Sequence, residues 1–262
     1  MLTNTIARAS SALTLLKVRF VRSALVLSLG VLVSQSASSD EVGVTIYFVT
    51  NPPIACANME ERFCVGAWLA VKAAEEAGLP YRMMELPWNR ALREIDADPN
   101  AVFVATGRVP SNEDSFNWVV PIYSDQTWVL QHGDSVRRPE DLLNIGVRMG
   151  SPFAGEARRR GWSYDEISNW PSIAETLTAR RLDGVYATRL GITTHILPRL
   201  PKDLAVKVTI VDTMTWWIIR GRSYDETPAM KKFRDAARRI GDSRPYQEKL
   251  NNGLWAMADR GG

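Results

Sequence analysis

Little in this chain of 262 residues is arranged for covalent or metal chemistry. The two histidines, His132 and His195, lie far apart in sequence and have no metal-ligand spacing. There is no Gly-rich phosphate loop, no Gly-x-Ser-x-Gly elbow, no His/Cys cluster and no calcium loop, so no catalytic residue, metal or cofactor is expected. The residues with chemistry to offer are those that can hold a ligand, and Arg108 is foremost. It follows the unbroken apolar run 101–105, the pattern of a parallel strand covered on both faces, and ligands in open α/β sheets bind at the carboxyl ends of such strands. Thr106 and Gly107 share that position. The Arg108 guanidinium can grip an anion there, or it can pair with Glu113 or Asp114 in its own turn. Cys56 and Cys64 are the only cysteines, and in an exported chain they are expected to form a disulfide. Eight residues of helix would hold their Cα atoms about 12 Å apart, beyond the roughly 7 Å a bridge allows, so the bridge is expected to pin a loop onto a helix start. Metal ligation or a nucleophilic thiol is the alternative, which no histidine pattern accompanies.

The elements that position these residues can be read in order. Strand 44–49 ends in Thr50-Asn51-Pro52-Pro53; a helix with Val65, Trp68, Leu69 and Ala73 on one face stops at Gly78; strand 81–85 follows. Asn89 is expected to cap a short helix with Leu92 and Ile95 inward, which Asp98-Pro99-Asn100 terminates before strand 101–105. This β-α-β-α-β order predicts a parallel sheet with right-handed crossovers. After Trp118 residues 121–126 read as a connector and 127–132 as a strand. A short helix at 141–143, strand 145–148 and a helix from Gly150-Ser151 through Arg160 come next. The capping-box pattern Ser172–Glu175 then opens a helix ending near Arg181. Strand 184–187, a helical stretch 192–197 and strands 205–211 and 215–219 lead to a terminal helix bearing Met230, Phe233, Ala237 and Ile240. Tyr246, Leu250 and Trp255 are expected to close the core, with 256–262 a frayed tail.

The amino-terminal segment reads as an address. Residues 1–39 carry Arg8, Lys17, Arg19 and Arg22, no acidic residue, the apolar run 24–33 and then small residues, the layout of a secretory signal peptide cleaved between Ser36 and Ser39. The apolar run is about half of the roughly 20 residues a membrane span needs, so no permanent anchor is expected. The long basic stretch also points to a translation start further down, near Val18. Removing the four basic residues leaves 28 of the chain's 32 against 29 acidic ones. The surplus of positive charge therefore belongs to the leader. The clusters Arg158-Arg159-Arg160, Arg180-Arg181 and Arg238-Arg239 have acidic neighbours and read as solvated helix faces; no nucleic-acid partner is expected. The remaining chain of about 224 residues is long enough for one large domain or two small ones.

The motifs Pro87-Trp88-Asn89-Arg90-Ala91-Leu92, then 107–118 (GRVPSNEDSFNW), then 119–123 (VVPIY), resemble the bacterial extracellular solute-binding proteins of the polar amino acid type, family 3, over residues 43–255. That resemblance implies the type 2 periplasmic binding protein fold: α/β, two lobes, each a mainly parallel sheet flanked by helices, joined by two hinge crossings. It implies a signal peptide at 1–38, a discontinuous first lobe at 39–122 and 215–262, a second lobe at 127–210, and hinges at 123–126 and 211–214. Closure on a small polar or anionic ligand, delivery to the membrane subunits of an ABC transporter, a periplasmic location and a monomeric state are implied with it. An orphan receptor serving a sensor or another protein partner, and a dehydratase-like enzyme with Glu85 as its acid, are the alternatives.

Carried over residue by residue, the resemblance makes Trp88 an aromatic wall, Thr106 and Gly107 a strand-end contact and Ser151 a helix-start contact. Its charged partners do not carry over. Alignment on Phe116-Asn117-Trp118 puts Asn112 at the position of the carboxylate-binding arginine, and alignment on Leu182-Asp183-Gly184-Val185 puts Thr188 at that of the ammonium-binding aspartate. An amide cannot reproduce a bidentate guanidinium–carboxylate pair, which argues against an ordinary α-amino acid. Arg108 and Arg189 are the candidates to replace the missing charge. Tyr123 is a hinge or rim candidate, Trp88 has core packing as its other reading and Arg189 has solvated surface. Ile54 stands where the resembled proteins often have an aromatic residue.

Overall fold

A computed structural model describes residues 43–58 and 64–255, with the side chains of 253–255 excepted. The leader, the tail 256–262 and the Trp255 side chain expected in the core lie outside the described residues. The first half begins with β1 (Val44–Phe48), α1 (Val65–Glu76), β2 (Tyr81–Glu85), α2 (Trp88–Ala97) and β3 (Ala101–Arg108). β4 (Asn117–His132) then leads into β5 (Ile145–Arg148), α3 (Pro152–Arg159), β6 (Tyr164–Ile167), α4 (Trp170–Thr178), β7 (Gly184–Thr188) and α5 (Arg189–Gly191). Further helical turns reach Arg199 before β8 (Val206–Arg220), α6 (Pro228–Gly241) and α7 (Arg244–Lys249).

The eight strands of the described residues join one sheet in the order β2-β1-β3-β8-β4-β7-β5-β6. β1, β2 and β3 pair in parallel, as do β5 with β6 and with β7; β8 and β4 run antiparallel to each other and to their outer neighbours. The β-α-β order of each half dictates the parallel pairs, because a helix must carry the chain back before the next strand starts. β1 is buried at every position because it has a strand on either side and helices over it, whereas β2, at the sheet edge, is largely exposed. α1 lies against the sheet through Val65, Leu69 and Ala73, beside α6, which contributes Met230, Phe233 and Ala237. The second half is filled by Leu130, Ile145, Ile173, Leu177, Val185 and Tyr186.

Several local expectations are corrected. Residues 121–126 are not a connector, and 205–211 and 215–219 are not two strands; β4 and β8 run through these stretches continuously, pairing Tyr123 with Trp216 and Asp125 with Met214. Residues 106–108 do not lie beyond the end of β3 but continue it, because β8 supplies an antiparallel partner after a register shift between Val104 and Thr106. Asn89 sits inside the first turn of α2, whose cap is Pro87. The cap of α4 is Asn169, which accepts the Ser172 N–H at 2.9 Å, so Ser172 is helical rather than capping. β6 had no counterpart in the sequence reading, since Tyr-Asp-Glu-Ile offers no apolar alternation at the other edge of the sheet.

Cys56 and Cys64 are bridged with Cα atoms 5.8 Å apart, and Cys64 is the residue that precedes α1, so the bridge ties the 51–56 turn to a helix start. Tyr246 in α7 is buried and donates to the Ile122 carbonyl at 3.0 Å, which fixes the terminal helices against β4. Among the described residues no helix is long and apolar enough to cross a membrane.

Candidate functional site

A cleft of about 110 Å³ opens where the carboxyl ends of β1 and β3 in the first half meet the end of β5 and the start of α3 in the second. Its walls include Val49, Ile54, Trp88, Phe103, Met149 and Trp216. A smaller recess of about 30 Å³ continues it past Pro52, Trp170, Thr188 and His195, sharing Asn51, Ile54, Arg148, Ser151 and Trp216. Both volumes are below the roughly 300–1,000 Å³ typical of drug-sized pockets, which sets the scale of any occupant as small.

Arg148 is the side chain that distinguishes this place. It ends β5, lines both parts of the cleft and is half-buried. No carboxylate lies within ion-pairing distance of it among the described residues; its guanidinium instead stacks on the Trp170 ring, 5.6 Å from the centroid. Burial without a counter-charge pushes its pKa down from the usual guanidinium value. Around it are donors without acceptors. Thr106 Oγ1 and Trp216 Nε1 belong to residues 2% and 8% exposed and make no hydrogen bond, and Trp170 Nε1 is likewise unbonded. Such groups lose water without compensation, so the two indoles call for an acceptor, and the hydroxyl for a partner of either kind, brought by something that enters.

The backbone keeps the halves close here. A Cβ at Gly107 would collide with the Met214 side chain and lie 3.0 Å from Pro152 Cγ, so glycine lets the end of β3 approach the start of α3. Ser151 precedes α3 without capping it, and its hydroxyl donates to the Arg148 carbonyl at 2.5 Å, bracing the end of β5. His195 stacks on Trp170 at 5.2 Å and donates Nε2–H to the Pro52 carbonyl at 3.1 Å, a bond between the two halves. Burial, opposed by that bond, pushes its pKa down to about 4, so the ring is neutral at pH 7.

Of the nine residues singled out from sequence, Trp88, Thr106, Gly107, Ser151 and Thr188 line this cleft. Trp88 also packs edge-to-face on Phe103 at 4.9 Å. Thr188 accepts the Gly191 N–H at 3.1 Å and so caps the turn after β7. The other four lie elsewhere. Arg108 is clamped by Glu113 and lies over the rings of Trp118 and Trp217 at 5.1 and 5.0 Å. Asn112 accepts the Val109 N–H and donates to the Gly107 carbonyl, holding the turn after β3. Arg189 is 3.6 Å from the buried Asp125 carboxylate, which also accepts the Leu190 N–H at 2.9 Å. Tyr123 is buried and borders a separate hollow of about 530 Å³ between β4 and the helices α6 and α7. Glu85 accepts the Thr50 N–H at 3.3 Å and is not among the cleft residues. Arg148, Trp170 and Trp216 were not anticipated as site residues. An arginine ending a strand, one residue before Gly-Ser and a helix, was the available signal for the first. No cluster able to hold a metal ion occurs among the described residues.

The sequence matches no family model and no curated protein. Solved structures are similar over most of their length. The GluR0 ligand-binding core from Nostoc punctiforme, solved with L-glutamate, is 16% identical with a TM-score of 0.65, covering 80% of this chain and 99% of that one. An ancestral arginine-binding protein bound to arginine is 14% identical with a TM-score of 0.64, over 81% and 98%. The chain has the type 2 periplasmic binding protein fold. A histidine kinase sensor domain described as similar to periplasmic binding proteins, 9% identical with a TM-score of 0.65 over 82% and 97%, shares it. The two-lobed α/β architecture that the motifs implied is thus present. In this fold the cleft at Arg148 lies between the lobes, and β4 and β8 are the strands that cross from one to the other.

Proposed function

We propose that this protein is an exported solute receptor that closes its two lobes on a small anionic ligand held by Arg148. The observation that carries the reading is the half-buried guanidinium at the cleft with no carboxylate of the described residues beside it. Desolvating a cation without a partner is unfavourable, and a ligand anion removes that cost while gaining a charge-assisted, bidentate contact. The lobes take the boundaries 39–122 with 215–262, and 127–210. The crossings at 123–126 and 211–214 act as the hinge, where the Ser124 and Thr215 hydroxyls bond at 2.8 Å. The disulfide suits an oxidising compartment, the periplasm, and delivery to the membrane subunits of an ABC transporter is the role that follows. Likeness to a histidine kinase sensor domain favours a second destination for the same closure, signalling to a partner protein. Binding rather than catalysis is the reading favoured by the cleft, whose described residues offer no carboxylic acid and a histidine committed to Pro52.

The test is a thermal-shift screen of the purified protein against amino acids, organic acids, polyamines, sugars and oligopeptides. A ligand at about a hundredfold above its Kd adds roughly 2.7 kcal/mol. At about 2 to 4 °C per kcal/mol for a protein of this size, that is a shift of several degrees. An anionic compound giving this shift supports the reading. If no compound of any class moves the transition, the receptor reading is wrong.

A further inference from the structure

The cleft is charged at one point. Among the described residues lining it, Arg148 is the one that carries a formal charge at pH 7; His195 is held neutral and there is neither an aspartate nor a glutamate. Asn51, the hydroxyls and the backbone carbonyls offer neutral acceptors, none of them an anion. An α-ammonium group closed into this space would lose its water with no carboxylate to receive it, beside a guanidinium that repels it. The carboxylates buried among the described residues are committed: Asp125 to the Leu190 N–H and Arg189, Glu156 to Arg159 and Arg160 at 2.5 and 2.9 Å. What the cleft lacks in negative charge, it has in unbonded donors. The indole N–H groups of Trp216 and Trp170 can only donate, and the Thr106 hydroxyl is unbonded.

Resting on the receptor reading above, we propose that the ligand is an amine-free monocarboxylate with a second acceptor next to its carboxylate, the 2-oxo acids being the simplest such class. Its carboxylate pairs with Arg148, its neighbouring carbonyl takes the hydrogen bonds of Thr106 and Trp216, and its apolar body lies against Ile54, Trp88 and Phe103. One guanidinium matches one negative charge, and the donor surplus matches an acceptor-rich head. An α-amino acid presents the opposite complement at its α-carbon, three donors on a cation.

Calorimetry with matched pairs tests this on the whole protein, without relying on any variant: leucine against 4-methyl-2-oxopentanoate, phenylalanine against phenylpyruvate and alanine against pyruvate, all at pH 7. Each pair differs only in the amine or carbonyl at the α-carbon. The expected result is at least one 2-oxo acid bound more than about a hundredfold more tightly than its amino acid. Binding of an amino acid as tightly as its 2-oxo partner overturns the proposal and leaves the receptor reading standing. So does a response confined to polyamines, sugars or peptides in the wider panel. No heat from any member of the pairs or the panel overturns both.

Discussion

Replacing Arg148 with glutamine separates a binding arginine from a structural one, because the two roles move different measurements. Among the described residues the guanidinium has no counter-charge, so Arg148→Gln removes one desolvated cation and one stacking contact on Trp170. That contact contributes about 0.5 to 1 kcal/mol, and relief of the desolvation offsets it. The free variant should therefore unfold within about 1 kcal/mol of the parent. Binding should fare differently. Truncating one member of a buried, hydrogen-bonded charge pair costs about 2 to 5 kcal/mol, a weakening of roughly 30- to 5,000-fold. A ligand at a hundredfold above the parent Kd would then stabilise a variant weakened a hundredfold by only about 0.4 kcal/mol, in place of 2.7. The assay is thermal unfolding with and without the strongest ligand of the panel, with Kd measured directly by calorimetry. Affinity retained within threefold would refute Arg148 as the anchor. A free variant melting many degrees below the parent would show that the arginine holds the fold instead.

Further outcomes follow from other contacts. Asp125 is buried and its pKa is raised to about 6 from 3.8 by desolvation, against the opposing Leu190 N–H and Arg189; the native state therefore binds a proton that the unfolded state releases between about pH 4 and 6. Stability falls as pH rises through that window, by about 3 kcal/mol. His195, lowered to about 4 from 6.5, acts in the opposite sense, since stability is lost as pH falls from 6.5 towards 4. Denaturation profiles from pH 4 to 7 should slope upward with pH in Asp125→Asn and downward in His195→Gln, while the parent stays flatter than either. Equal slopes in all three would contradict both assignments. Reducing the Cys56–Cys64 bridge, which spans a sequence separation of 8, should lower stability by about 2 to 3 kcal/mol, read as the melting shift between Cys64→Ser and the parent under oxidising conditions. Gly107→Ala should cost about 1 to 3 kcal/mol by overpacking against Met214 and Pro152, and should weaken ligand binding more than Gly241→Ala, a helical position with nothing within 4 Å of the added methyl. Phe233→Ala, fully buried between α6 and the sheet, should cost about 3 to 5 kcal/mol in chemical denaturation.

What the sequence determined by itself is whatever depends on neighbours along the chain. The apolar run at 101–105 needs burial on both faces and is a strand; Asp98-Pro99 ends α2; Met230, Phe233 and Ala237 recur at helical spacing and are buried in α6. The cysteine pair, eight residues apart, could bridge only outside a helix, and it does. The alternation of helices and strands was enough for two parallel halves, and the motif resemblance carried the fold. The tertiary structure decided which side chains face the cleft, because that depends on partners distant in sequence. Trp216 and Trp217 are adjacent and alike, yet strand alternation sends them to opposite faces, and the register of β8 on β3 and β4, with its shifts, puts the first at the cleft and the second under Arg108. Arg108, Arg148 and Arg189 are equivalent as residue types. Glu113 lies five positions from Arg108 and Asp125 is brought to Arg189 by the pairing of β4 with β7, which neutralises both, while among the described residues no acidic side chain pairs with Arg148. A charge becomes available to a ligand by lacking a partner, and only the folded chain determines which partners are within reach.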